Sequence, residues 1–384
     1  MASLRKSSVH LLEFSRVIRA PLWHGGGELS LQMAKIHERF MKAALREALR
    51  WTGCTSPNPV VGAVIVKGGR ILARGAHERA GDPHAEVMAL RALPAAQDAR
   101  GATLYVTLEP CCTHGRTPPC TEAIINAGFA RVVIGVLDPN PLHAGRAVRI
   151  LQERGVDVVV GVMQSECAAA NRAFFKWVTT GTPWVIAKAG MSLDGRMTRP
   201  PGEGQWITGP AARRDAHRLR VRVDAILVGA NTLRADDPKL TIRGVRVPAG
   251  KAQPWRVVLS RGNSVIPIDA HLFTDEHRDR TLVYAGKSLG EVLCDLGSRG
   301  VCSLLVEGGG ETLGAFFDAV LVDEVCFYMA PIICGGPHAA VAGIGAGDTG
   351  SAWRITETSY QKVGRDLKLT GIVRSGEPPR PTAQ

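Results

Sequence analysis

The 384-residue chain contains no apolar run near the roughly 18 residues that a membrane-spanning helix requires, so a transmembrane reading is excluded. Aromatic residues are scarce, with four tyrosines and nine phenylalanines, and the 47 lysines and arginines are spread along the chain rather than gathered in blocks. A nucleic-acid surface built from stacked rings and a basic stripe is therefore disfavoured. The nine cysteines are odd in number and irregular in spacing, which argues against a disulfide scaffold and for a reducing, cytoplasmic setting. No internal repeat relates the two halves. No G-x-G-x-x-G follows a first strand, so a Rossmann dinucleotide fold is not expected.

What remains is a chain long enough for two domains, with an ordinary 45% of apolar residues and a net charge of +12. That charge suggests an anionic partner, either nucleic acid or a phosphorylated small molecule, and the scarcity of rings favours the second. Residues 1–22 carry Arg5, Lys6, Arg16 and Arg19 and precede the Gly25-Gly26-Gly27 breaker. They lack an apolar core and a cleavage site for secretion. An extension ahead of the folded domain is the preferred reading and a targeting peptide the alternative.

Hydrophobic periodicity predicts a helix over 36–51, a rigid Ser56-Pro57-Asn58-Pro59 loop, and a hairpin from strands 60–66 and 71–76. Helix 84–93, strand 102–108, helix 120–127, strand 131–137, helix 145–154 and strand 156–160 complete a three-layer α/β/α domain. A second unit begins near Gly181-Thr182-Pro183, with strands expected at 184–189, 225–228, 256–259, 282–284, 303–306 and 324–329, and a helix at 210–221. That alternation predicts a largely parallel sheet covered by helices. The resulting division is an extension at 1–34, a first domain at 35–180, a second at 181–375 and a disordered tail at 376–384.

The chemistry is concentrated at His84-Ala85-Glu86 and at Pro110-Cys111 with Cys120. A catalytic zinc takes three protein ligands and keeps one position open. His84, Cys111 and Cys120 supply the three, and Glu86, two residues beyond the histidine, stays unliganded to carry protons. The order H-x-E…P-C…C is the signature of hydrolytic nucleobase deaminases. In the general signature two residues separate the cysteines, whereas here eight residues do. Cys112 and His114 lie within reach but are read as a spare thiol and a loop residue. Two rivals stay open on these residues: a nucleoside- or tRNA-type deaminase fused to an unrelated domain, and a zinc-stabilised binding module without catalysis.

The runs Pro57-Asn58-Pro59-Val60-Val61-Gly62, His84-Ala85-Glu86, Tyr105-Val106-Thr107-Leu108-Glu109-Pro110-Cys111 and His114-Gly115-Arg116-Thr117-Pro118-Pro119-Cys120 carry a family resemblance. So do Ser192-Leu193-Asp194-Gly195-Arg196, Gln205-Trp206-Ile207-Thr208-Gly209, Ala235-Asp236-Asp237-Pro238 and Val306-Glu307-Gly308-Gly309. Over roughly residues 35–375 the chain resembles the bifunctional riboflavin-biosynthesis deaminase–reductases, to which the long cysteine spacing belongs. The resemblance implies a cytidine-deaminase-like first domain and a second domain similar to dihydrofolate reductase. It implies zinc and NADPH as cofactors, and a phosphorylated pyrimidine that is first deaminated and then reduced from ribosyl to ribityl.

By the same resemblance, Asn58 and His77 line the deaminase pocket. Gly190, Trp206, Thr232, Asp236, Ser260 and the run Gly309, Gly310, Glu311, Thr312, Leu313, Gly314 and Ala315 line the NADPH site, with the glycine turn after strand 303–306 admitting a pyrophosphate. Gly204, Arg220, Leu240, Arg243 and Glu307 contact substrate. Gly204 stands where the family often has a serine, so one phosphate contact is lost and Arg220 and Arg243 are expected to hold the anion. Lys188, on a strand, is expected to pair with Asp236 and to assist opening and protonation of the ribose. A homo-oligomer with no nucleic-acid or membrane partner is expected.

Overall fold

A computed structural model describes residues 28–94, 99–114, 118–140, 143–197, 206–262 and 265–375. The chain forms two compact units, one of residues to Trp51 and Val60–Asn171, the other of Thr52–Pro59 and Arg172 onward. Among the described residues no helix is long and apolar enough to cross a membrane.

The first unit opens with α1 (Glu28–Leu49), which starts eight residues before the expected 36 and inside the stretch assigned to the extension. Nothing after Gly27 breaks a helix, and Leu31, Gln32, Met33, Ala34 and Lys35 are good helix formers. The succession continues through β1 (Gly62–Lys67), β2 (Arg70–Ala76), α2 (Ala85–Arg91), β3 (Thr103–Leu108), α3 (Cys120–Ala127), β4 (Arg131–Val136), α4 (Arg146–Glu153), β5 (Asp157–Val160) and α5 (Gln164–Ala170). The sheet order is β2-β1-β3-β4-β5; β1 is antiparallel to β2 and β3, and β3, β4 and β5 run parallel. Gly62 lies against the α1 backbone at Ala44, whereas Gly75, paired with Ala63, lies against α2 at Ala85 and Ala89. Because neighbours along a strand face opposite sides, α1 and α2 cover opposite faces, which gives the expected three layers.

The second unit contains α6 (Arg172–Thr180), β6 (Trp184–Ser192), α7 (Pro210–Val221), β7 (Ala225–Gly229), α8 (Ala230–Asp236), β8 (Trp255–Ser260), α9 (His271–Thr274), β9 (Thr281–Ala285), α10 (Leu289–Ser298), β10 (Ser303–Val306), α11 (Gly310–Asp318), β11 (Glu324–Ala330), β12 (Arg354–Val363) and β13 (Asp366–Arg374). The unit therefore begins at α6, ahead of the expected 181. Trp177 Nε1 donates to Gly297 O at 2.8 Å, and Lys176 pairs with Asp323 at 2.5 Å, tying that helix to the second core. The eight-stranded order is β12-β13-β11-β6-β10-β7-β8-β9. The strands from β11 to β9 are parallel, and a C-terminal antiparallel hairpin absent from the sequence reading is added at one edge.

Period-two alternation separates the two faces of this sheet. Val185, Ala187, Leu227, Leu304 and Val306 pack with Val292 and Leu296 of α10 and Leu313 and Phe316 of α11. Ile186, Ile226, Val228 and Leu305 pack instead with Ala212 and Ala216 of α7 and Leu233 of α8. Lys188 shares the parity of Ile186 and so belongs to the α7 face.

The glycines of α11 have a packing role that the sequence did not disclose. A Cβ on Gly310 would lie 2.0 Å from Ala339 O, and one on Gly314 would lie 1.3 Å from Ala342 O, because the 339–343 segment crosses that face of the helix. Ala342 N donates to Gly310 O at 3.0 Å, fixing the crossing. Gly314→Ala is expected to destabilise the second unit despite a gain in helix propensity of about 1 kcal/mol, since overpacking against main chain costs about 1–3 kcal/mol and often more. Thermal unfolding of the full chain checks this, and an unchanged or raised midpoint would refute the packing account.

Two candidate active sites

In the first unit, three element ends meet. His84 is the N-cap of α2, Cys111 follows β3, and Cys120 is the first residue of α3. His84 Nδ1 lies 3.4 Å from Cys111 Sγ and 3.3 Å from Cys120 Sγ, and the three donor atoms fall within 4.8 Å of one another. Metal–ligand bonds of about 2.0–2.3 Å in a tetrahedron require donor separations of roughly 3.5 Å, so this soft donor set fits zinc. Cys120 N–H donates to Cys111 Sγ at 3.2 Å, so the opening of α3 stabilises negative charge on that sulfur. Hydrogen bonding from Cys120 holds the Cys111 thiol well below the usual range, while the same contact and burial push the Cys120 thiol up.

Glu86 is 3% exposed and stands outside the donor cluster. Burial, then the charge of Cys111, push its carboxyl up to about 7. A carboxyl poised near neutrality both accepts and returns a proton. His77 is buried with its ring centroid 5.3 Å from that of His84, and its Nδ1 donates to Pro83 O at 3.2 Å. Burial lowers its pKa, which favours the uncharged ring beside the cluster. Glu109 accepts from the N–H groups of Asp138, Gly145 and Ala147, and so anchors the chain entering Cys111 to the start of α4. Cys112 Sγ faces His143 Nδ1 at 3.8 Å, away from the donor cluster. Asn58 lies in the Thr52–Pro59 segment, where its N–H bonds Thr55 O at 2.8 Å, and is grouped with the second unit.

In the second unit the expected residues gather at the carboxyl ends of the parallel strands, the side on which α/β sheets bind ligands. Gly190 lies near the end of β6, Glu307 follows β10, and Ser260 ends β8. The openings of α8 and α11 meet there, with Gly309 N donating to Thr232 Oγ1 at 3.1 Å. Ser260 is 5% exposed, and its Oγ has no hydrogen-bond partner. A buried orphan hydroxyl beside a helix N-terminus fits a phosphate-bearing cofactor. Of the run from Gly309 to Ala315, Gly310 and Gly314 face the 339–343 segment, so their smallness serves that crossing. Trp206 is exposed with the Arg213 guanidinium 4.8 Å above its ring. Gly204 lies outside the described residues.

The expected Lys188–Asp236 pair does not form. Lys188 Nζ lies 3.4 Å from Glu307 Oε2, since β10 pairs with β6 at Val306↔Ala187 and brings the next residue alongside. Asp236 is exposed at the end of α8, with its carboxyl raised by partial burial. Arg220 grips the same Glu307 with two bonds, Nε to Oε1 at 2.7 Å and Nη2 to Oε2 at 3.0 Å, and Nη1 donates to Thr241 O at 2.9 Å. Burial alone would raise the Glu307 carboxyl, but Arg220 and Lys188 overcome it and hold the group far below the ordinary range. Arg243 lies at the exposed rim, with Nη1 on Thr241 Oγ1 at 3.1 Å. Three cations around one carboxylate leave a positive excess for an anion. Leu240 is buried with φ +49°, a left-handed conformation uncommon for its type.

Two family models match the chain: the cytidine and deoxycytidylate deaminase zinc-binding region over residues 34–136, and the RibD C-terminal domain over residues 183–369. The riboflavin biosynthesis protein RibD of Bacillus amyloliquefaciens is 39% identical over 368 residues, covering 89% of this chain and 98% of that protein. The chain belongs to the RibD family. Among solved structures, RibD of Acinetobacter baumannii matches with a TM-score of 0.81 at 36% identity, over 89% of this chain and all of that one. A diaminohydroxyphosphoribosylaminopyrimidine deaminase/5-amino-6-(5-phosphoribosylamino)uracil reductase of Thermotoga maritima matches with a TM-score of 0.77 at 32% identity, over 89% and 99%. As a RibD family member the chain is a bifunctional deaminase and reductase of riboflavin biosynthesis, which removes the rival of a deaminase fused to an unrelated domain.

Sequence reasoning missed His217, which stands between Arg220 and Arg243 and whose Nδ1 accepts the Arg243 N–H at 3.2 Å. The signal was present, because Arg213, His217 and Arg220 follow the i, i+4, i+7 spacing of one helix stripe. An arginine-rich helix masked it.

Proposed function

We propose that the first unit hydrolytically deaminates 2,5-diamino-6-ribosylamino-pyrimidinone 5′-phosphate with zinc, and that the second reduces the ribosyl unit of the product to ribityl with NADPH. The observation that carries this reading is the three-donor cluster with buried Glu86 beside it and outside it. A purely structural zinc site would supply a fourth protein ligand and have no use for an ionisable group held near neutrality.

His84, Cys111 and Cys120 would hold the zinc, which when bound supplies an activated water to the ring carbon. Glu86 carries a proton to a ring nitrogen and then to the departing amine. Neutral His77 closes the pocket beside His84 and contributes fixed hydrogen-bonding polarity.

In the second unit the opening of α11, Thr232 and the orphan Ser260 hydroxyl would hold NADPH, which supplies the hydride. Arg243 and Arg220 face the substrate phosphate. Lys188, 3.4 Å from Glu307, orients the ribosyl hydroxyls. Asp236, exposed at the end of α8, relays the proton that opening of the sugar ring requires.

The test is to give the full chain the diamino substrate and follow ammonia and NADPH together. One NADPH is expected per ammonia, with NADPH oxidation lagging. Asp236→Ala should leave ammonia release intact and slow NADPH oxidation by about 100-fold or more, the usual scale of a positioned proton donor. Reduction that proceeds before deamination would overturn the order, and unchanged turnover in Asp236→Ala would remove that residue from the site.

A further inference from the structure

The segment 239–243 has no regular structure, yet side chains from elsewhere in the fold hold its main chain at every step but one. Arg256, fully buried, donates to Lys239 O at 3.3 Å, and Arg220 donates to Thr241 O at 2.9 Å. Gln253 Oε1 accepts from Ile242 N at 2.8 Å. His217 Nδ1 accepts from Arg243 N at 3.2 Å. The remaining residue, Leu240, is the one with positive φ. A strained, irregular stretch whose polar groups are met individually is a built feature, and such stretches gather at binding sites.

We propose that His217 is a positioning residue for the anion-binding end of the reductase site, its imidazole accepting the Arg243 main-chain N–H and thereby fixing where that guanidinium stands. The inference rests on the reading of Arg220 and Arg243 as the substrate-phosphate residues. Accepting at Nδ1 requires that nitrogen to be unprotonated, so the single ring proton resides on Nε2. The surroundings enforce this state. Burial, then Arg220 on the same helix and Arg243 across from it, with Lys188 from β6, lower the His217 pKa to about 4 against the opposing pull of Glu307. A protonated ring would lose the bond and add a fourth positive charge to the cluster. His217 thus stays neutral at working pH, and the anion meets Arg243 with its main chain already set.

The experiment measures KM and kcat of the reductase half in the full chain, with the deaminated substrate and saturating NADPH. Arg243→Ala is expected to raise KM by roughly tenfold or more, as loss of a charge-assisted contact does. His217→Ala should raise KM by roughly five- to tenfold at nearly constant kcat, the scale of one hydrogen bond. His217→Asn keeps an acceptor near the Nδ1 position and should restore KM to within about twofold, whereas His217→Gln places its acceptor near Nε2 and should not. Rescue by Asn but not Gln decides the matter even if the alanine variant folds poorly. If Arg243→Ala raises KM and His217→Ala does not, the inference is wrong and the phosphate reading stands. If Arg243→Ala leaves KM unchanged, the phosphate reading itself fails. A fall in kcat at constant KM for His217→Ala would assign the histidine to the chemistry and overturn a positioning role.

Discussion

Glu86→Gln is expected to lower ammonia release by about two to four orders of magnitude, the range of a general acid–base group, while zinc content stays unchanged. The amide fills the same buried volume but cannot exchange a proton. The three metal donors are untouched, because Glu86 lies outside their cluster. Stability should hold or rise. Burial raises the folded pKa of this carboxyl to about 7, so above the unfolded value near 4.3 its ionisation opposes folding, and the neutral amide removes that cost. Reduction of separately supplied deaminated substrate should proceed at the parent rate. Metal analysis, ammonia release, thermal unfolding and NADPH oxidation measured on one preparation check all four expectations. Full deaminase activity in this variant would end the proposed proton role.

Glu307→Gln is expected to produce the largest loss of stability among single changes at the reductase site. The carboxylate is 7% exposed and compensates both Arg220 and Lys188. Its removal leaves two cations in poor solvent, and breaking such a buried pair costs about 3–5 kcal/mol. The sign with pH follows from the depressed folded pKa of Glu307. Its stabilisation is complete above the unfolded pKa of about 4.3 and is lost as pH falls below that value toward the folded one. The difference in denaturation free energy between parent and Glu307→Gln should therefore be constant from neutrality to about pH 5 and shrink on further acidification. A difference that grows toward low pH would contradict the ion-pair account. NADPH oxidation at pH 7 should fall as well, because Lys188 and Arg220 lose the group that orients them.

The deaminase centre was legible in the sequence because each of its parts is local. His84 and Glu86 share the opening of one helix, and Cys111 and Cys120 mark a strand end and a helix start that glycine and proline punctuate. The fold was legible wherever apolar residues repeat at a fixed period. It was less so at β12, where eight of ten residues are exposed and no hydrophobic alternation marks the strand. The reductase centre was only half legible. Lys188, Arg220 and Glu307 were all named, but Lys188 was assigned the wrong partner. Its neighbour is decided by strand pairing between residues more than 100 apart in the chain, which no local pattern encodes. His217 and Gln253 escaped for the same reason, since their partners are main-chain groups of an irregular segment.

The parity of β6 has one more consequence. Ala187 and Ala189 face a dry core while Lys188 between them carries the site's charge, so this strand specifies its own alignment. A slip of one residue would drive an ammonium into the α10–α11 core and leave Glu307 and Arg220 facing a methyl group. Misaligned pairings of this central strand are thus rejected by the same lysine that we propose orients the substrate. On that proposal, a neutral replacement at Lys188 would relax both the alignment of the strand and the positioning of the substrate.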